Sequence, residues 1–152
     1  SGLTTTLTVS APGFVDGTAS ETVVQAALDV QGVPTTMAVG AADVGIYARL
    51  GYASAGNSSL ATVQNVRAGI PGGALTITFT SSNANAATLI QGAQAAAATL
   101  TLAIPEALYY TPTSIAAGGV GLRRVAAGTS SISVAATSVI TTGAGVRPVT
   151  IQ

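Results

Sequence analysis

The sequence predicts an all-β chain folded as an antiparallel sandwich, and three observations carry that expectation. Apolar residues alternate with threonine and other polar residues in run after run, which is the two-residue period of strands with one buried and one wetted face. Clusters of Gly, Pro, Asn and Asp separate the runs, as turns between short strands require. Helix is nearly absent: the alanine-rich stretch Gln94 to Ala98 is too short to stand alone and leads straight into an alternating segment.

The strands follow in order. Leu3, Thr5, Leu7, Val9 and Ala11 alternate with Thr4, Thr6, Thr8 and Ser10, before the turn signals Pro12-Gly13 and Asp16-Gly17. Ala26, Leu28 and Val30, with Val24 ahead of them, alternate with Val23, Gln25, Ala27 and Asp29 up to Gly32 and Pro34. Val44, Ile46, Ala48 and Leu50 alternate with Gly45, Tyr47 and Arg49. Leu60 to Arg67 is less regular and is expected to carry a bulge. Leu75, Ile77 and Phe79 between Thr76, Thr78 and Thr80 form the cleanest alternation, preceded by Pro71-Gly72-Gly73. Leu100, Leu102 and Ile104 alternate with Thr99, Thr101 and Ala103, ending at Pro105. Ile132 and Val134 alternate with Ser131, Ser133 and Ala135.

Composition narrows function by what it lacks. The chain has 152 residues, 48% of them hydrophobic and only 7% charged, with formal net charge zero. That balance argues against nucleic acid, whose phosphates demand clustered cations. No His, Cys or Lys occurs, which removes the commonest general base, the thiolate and the Schiff-base amine. No catalytic residue is expected, the chain is read as not an enzyme, and no cofactor is implied. The uncharged run from Arg67 to Glu106 is broken by Pro71, Gly72, Gly73 and Ser81-Ser82-Asn83, so membrane insertion is not expected. No signal-peptide pattern stands at the N-terminus, and Ser1-Gly2 reads as the residue of cloning ahead of a piece of a longer protein.

One strand is written twice. Thr4 aligns with Thr129, Leu7 with Ile132, Val9 with Val134, Phe14 with Val139 and Val15 with Ile140. After a two-residue slip, Thr22 to Gln25 aligns with Val149 to Gln152. A self-match at domain length is the signature of a tandem array. The expected organisation is a hairpin over residues 1–24, belonging to a preceding repeat or added to a sheet edge. It is followed by a sandwich over 25–152, whose last strand, about 146–152, duplicates 20–25.

Two segments carry a resemblance. The run LTITFTSSN from Leu75 to Asn83, followed by Ala86, Ala87, Thr88 and Leu89, resembles the strand-Ser-Ser-Asn signature of bacterial immunoglobulin-like (Big-type) repeat domains. The run AAGTSSISV from Ala126 to Val134 is similar to their penultimate strand. The resemblance covers Gly73 to Gln152 and the duplicated hairpin, while residues 35–70 match no such pattern. It implies an immunoglobulin-like sandwich serving as a non-catalytic spacer or stalk repeat of a large bacterial surface or secreted, adhesin-like protein. The implied partners are neighbouring repeats of the same chain, or a copy of itself through sheet edges. The alternatives are a glycan- or protein-binding module and a filament subunit assembled by strand donation.

Few residues offer a site. Tyr109 and Tyr110, flanked by Glu106 and Pro112, form the most site-like cluster, since adjacent rings on a loop can stack on a sugar or a partner. The acids Asp16, Glu21, Asp29, Asp43 and Glu106 read as solubilising surface charge. Asp16 and Asp29 are the weak candidates for calcium, but no two acids are near enough in sequence to make a local calcium loop. Arg123-Arg124 reads as a strand edge kept repulsive to other edges.

Overall fold

The computed structural model of the chain describes residues 3–152, so Ser1 and Gly2 lie outside the described residues. Thirteen strands follow one another: β1 (Leu3–Val9), β2 (Gly17–Val23), β3 (Ala26–Gln31), β4 (Thr36–Met37), β5 (Val44–Ala53), β6 (Leu60–Val63), β7 (Ala74–Ser81), β8 (Ala87–Ile90), β9 (Thr99–Pro105), β10 (Val120–Arg124), β11 (Gly128–Ala135), β12 (Ile140–Thr141) and β13 (Val146–Ile151).

The strands from β3 onward form two sheets. One runs β12-β3-β5-β10-β8, with β6 also paired to β5, and the other runs β4-β13-β11-β7-β9. The sheets meet over a single apolar core. Leu28, Val30, Ile46, Ala48, Leu50, Val120 and Leu122 come from the first, and Ile77, Phe79, Leu102, Ile104, Ile132, Val134, Val149 and Ile151 from the second. Outside β10, these are the inward members of alternating strands, and the residues between them point outward. Phe79 is the largest fully buried side chain. Apart from Met37 the rest of the core is aliphatic, so close packing rests on many small pieces, about half of them β-branched Val and Ile.

β5 is the organiser. β3 pairs along one side of it, from Ala26 opposite Tyr52 to Gln31 opposite Tyr47. Three segments share the other side in succession: β10 opposite Val44 to Ile46, Tyr110 opposite Arg49, and β6 opposite Gly51 to Ala53. Thr62 pairs with Tyr52 and Leu60 with Ala53, leaving Ala61 bulged out, the irregularity the sequence suggested.

The Ser-Ser-Asn segment has a structural role. The Ser130 hydroxyl of β11 lies 2.9 Å from that of Ser81 and accepts from the Asn83 backbone N–H at 3.1 Å. Ser81 also donates to the Ala87 carbonyl at 2.6 Å. The Ser82 hydroxyl accepts from the Ser131 N–H at 2.8 Å, and the Asn83 side chain donates to the Thr129 carbonyl at 3.0 Å. These bonds clamp the end of β7 and the turn into β8 onto the start of β11. Ser81 and Ser130 are each only 4% exposed, so the clamp satisfies hydroxyls that burial would otherwise strand.

Two expectations about charge are corrected. Asp29 is not surface charge: it is 1% exposed within β3, because cross-strand pairing sets it directly opposite Arg49. Arg123 and Arg124 do not keep an edge bare: they pair with Thr88 and Ala87 of β8, and because β5 pairs with β10 only as far as Leu122, their other side meets the loop at residues 42–43. Arg123 binds Asp43 with Nη2–Oδ2 at 2.8 Å, and Arg124 donates from Nη1 to the Ala42 carbonyl at 2.7 Å. Both arginines thereby hold down the loop that enters β5.

The N-terminal hairpin stands apart. Among the described residues β1 and β2 pair with each other in a two-stranded sheet of their own. The residues from Thr4 to Gln25 are all exposed, including Leu7, Val9, Phe14 and Val15. Its register reproduces that of β11 with β13. Leu3 faces Val23 and Thr4 faces Thr22, as Gly128 faces Ile151 and Thr129 faces Thr150. In pairing register Thr22 is therefore the counterpart of Thr150, one residue beyond the match read from the sequence. The Val9–Gly17 connection is three residues shorter than its counterpart from Val134 to Gly145.

Candidate functional site

The outward face of β5 carries Tyr47 and Arg49, because their neighbours Ile46, Ala48 and Leu50 are committed to the core. On β3 the matching outward positions are Asp29 and Gln31, opposite Arg49 and Tyr47. The Arg49 guanidinium meets the Asp29 carboxylate with two bonds, Nε to Oδ1 at 3.1 Å and Nη2 to Oδ2 at 2.6 Å. Gln31 donates from its amide to Oδ2 at 2.9 Å. The two-pronged geometry fixes the guanidinium plane as well as its position. It also raises the Arg49 pKa: the hydrogen bond to Asp29 is the largest cause, opposed by burial, and Coulombic attraction to Asp29, Tyr47 and Tyr109 adds to it.

The segment through Tyr109 and Tyr110 is held against β5 like a short strand. Leu50 N–H donates to the Tyr109 carbonyl at 2.7 Å, and Thr111 N–H to the Ala48 carbonyl at 3.1 Å. The Thr111 hydroxyl, fully buried, accepts from Ala48 N–H at 3.0 Å. The two tyrosine rings sit edge to face, with centroids 4.8 Å apart and planes at 72°, the arrangement their quadrupoles favour.

Together these elements line a cleft of about 410 Å³, whose walls are Tyr47, Arg49, Val63, Tyr109, Tyr110 and Thr113. Tyr109 and Tyr110 were legible as a candidate pair from the sequence alone. Tyr47 and Arg49 were not, although their outward places in the alternation of β5 were a usable signal. Glu106 does not join them. Its carboxylate accepts from the Gly69 N–H at 2.9 Å, because the chain reverses after Pro105 through Ala107 at φ 64°. That reversal sends Glu106 to the Gly69 loop and the tyrosines to β5.

Two other clefts are less equipped. One of about 460 Å³ lies between Val24-Gln25 at the root of the hairpin, the Ala53–Asn57 loop and Ile140, and holds neither ring nor ionisable group. One of about 250 Å³ opens between the sheets at Leu50, Val66, Ile70, Leu75 and Val139, where apolar walls dominate. Of the calcium candidates, Asp29 has both oxygens engaged by Arg49 and Gln31, and Asp16 sits exposed in the β1–β2 connection. Among the described residues no group of three or more His, Cys, Asp or Glu comes together, and no helix is long and apolar enough to cross a membrane.

No protein-family model, no curated protein and no solved structure matches the chain. The function must therefore be argued from the molecule's own geometry.

Proposed function

We propose that the chain is one period of a tandem array of immunoglobulin-like sandwiches, a non-catalytic spacer or stalk in a large bacterial surface or secreted, adhesin-like protein. Its partners in that reading are the neighbouring repeats. The observation that carries it is the hairpin: β1 and β2 repeat β11 and β13 in sequence and in register, but without the sheet those strands need.

The details of the hairpin support this. Thr4, Thr5 and Thr6 stand where Thr129, Ser130 and Ser131 receive the Ser-Ser-Asn clamp, so the one β11 hydroxyl in the clamp, that of Ser130, has the Thr5 hydroxyl as its counterpart. Phe14 and Val15, 80% and 97% exposed, correspond to Val139, which packs against the core rim, and Ile140 of β12. The departure is Glu21, which takes the place of the buried Val149. The immunoglobulin-like assignment is supported by the orders β3-β5-β10-β8 and β13-β11-β7, which parallel the two sheets of that sandwich. β9 differs by joining β7 only after β8 has crossed to the other sheet.

The test is a chain in which residues 25–127 are repeated ahead of Leu3, so that the hairpin can complete an upstream sandwich. The expected result is two folded sandwiches, an elongated scattering profile and roughly twice the unfolding enthalpy. An upstream segment that stays unfolded, or concentration-dependent polymers of the original chain, would sink the array reading; the polymers would point to strand donation instead.

A further inference from the structure

Beyond the spacer role, we propose that the cleft on the outward face of β5 binds a neutral saccharide, with Tyr47 and Tyr109 as stacking surfaces and Arg49 as a fixed hydrogen-bond donor. Three of the chain's four tyrosines line this one cleft. In a chain where aromatic residues make up 4%, a core built from aliphatic residues did not need them there. Half-buried rings at the surface offer the flat apolar area that the C–H face of a pyranose covers, with phenol hydroxyls left to meet its hydroxyls.

Arg49 selects the class of sugar. Asp29, its carboxylate steadied by the Gln31 amide, holds the guanidinium through Nε and Nη2, while the side chain remains 33% exposed. Among the described residues Nη1 has no protein partner, so it is a free donor on a guanidinium whose plane Asp29 fixes. Asp29 also neutralises it, and Arg49 is the one charged residue among the six that line the cleft. A carboxylated or sulfated sugar would bring charge to a site whose cation is already matched, whereas neutral hydroxyls would accept from the guanidinium and pair with Thr113 and the phenols. The volume of about 410 Å³ lies in the range of small-ligand sites, about 300–1,000 Å³. Tyr47 and Arg49 rest on β5, a strand paired on both sides, and the Tyr109–Thr111 segment is bonded to β5 at Leu50 and Ala48, so the sheet anchors both walls.

The experiment is a printed array of neutral oligosaccharides in gluco, galacto and manno series, beside their sialylated and uronate counterparts, probed with the whole chain. The best neutral hit is then titrated by calorimetry. Neutral glycans are expected to be retained, with Kd rising about tenfold or more in Tyr47→Ala and in Tyr109→Ala and unchanged in Phe14→Ala, whose ring is exposed elsewhere. Tyr47→Phe, which keeps the ring and the fold, is expected to lose less than Tyr47→Ala. Should either alanine variant melt early, the Arg49 side-chain N–H resonances of the unaltered chain give the readout, and they are expected to move on adding the glycan. Retention of acidic glycans only, no retention at all, binding indifferent to the tyrosines, or Arg49 resonances that stay fixed would each overturn the proposal. None of these results bears on the array, which the repeated chain tests separately.

Discussion

Leu7 of β1 and Ile132 of β11 hold equivalent places in two strand pairs of the same register, yet Leu7 is 56% exposed and Ile132 is fully buried. The same contrast runs through Val9 and Val134, and through Phe14 and Val139. Local sequence is therefore not what separates the pairs. β11 has β7 on its free side and a second sheet across the core, whereas β1 has only β2. A two-stranded hairpin is marginal alone, and burying one aliphatic side chain is worth about 1.5–3 kcal/mol. The partner sheet makes the difference between a stable core position and an exposed apolar residue. An alternating pattern tells which face a strand would bury, and it is silent on whether anything is there to bury it against.

Paired substitutions sharpen this contrast. Ile132→Ala is expected to lower the stability of the chain by about 2–5 kcal/mol, from lost burial and the cavity left behind. Leu7→Ala is expected to stay within about 0.5 kcal/mol. Denaturant midpoints decide, and equal losses would mean that the hairpin is docked after all. Ser130→Ala removes the hydroxyl shared by Ser81, Ser82 and Asn83 and should cost about 1–3 kcal/mol, because buried partners are left unsatisfied. Its counterpart Thr5→Ala should leave the melting curve in place.

Glycines give a smaller version of the same test. A Cβ on Gly145 would fall 2.4 Å from Thr141 Cγ2 and 2.9 Å from the Leu28 carbonyl, whereas a Cβ on its counterpart Gly17 meets nothing within 4 Å. Gly145→Ala should therefore destabilise by about 1–3 kcal/mol through overpacking, and Gly17→Ala should be near neutral in thermal melting. In the chain carrying a repeated 25–127 segment, Gly17→Ala should become costly and Glu21→Val should become stabilising. Deleting residues 1–23 should have the smallest effect of all, leaving the melting temperature of the sandwich where it was. A drop of several degrees would contradict the separation of hairpin and body.

Much of the sandwich was legible because its strands bury one face and wet the other. β5, β7, β9 and β11 all show it, and their inward residues are in the core, whereas β3 alternates in sequence although Ala27 to Val30 are buried on both faces. β10 was hidden for a physical reason: Val120, Gly121 and Leu122 are buried on both faces, with Ile115 and Ile90 pressed against Gly121, so nothing alternates. β4 and β12 are two-residue parallel strands, too short for any period. Half of the candidate site was legible for a similar reason. Two adjacent tyrosines are visible in a string of letters, but the pairing of Asp29 with Arg49 is set by strand register across twenty positions. Glu106 looked like a neighbour of those tyrosines because the turn at Ala107 leaves no unambiguous mark in sequence.

Amide hydrogen exchange on the chain with residues 25–127 repeated ahead of Leu3 is the most direct test of the hairpin's place. If β1 and β2 are the closing strands of an upstream sandwich, amides from Thr4 to Val9 and Thr18 to Val23 should slow about a hundredfold or more relative to the present chain, reaching the protection of β11 and β13 as part of a cooperative unit. Exchange that stays as fast as in the present chain, beside a protected β11 and β13, would contradict the account.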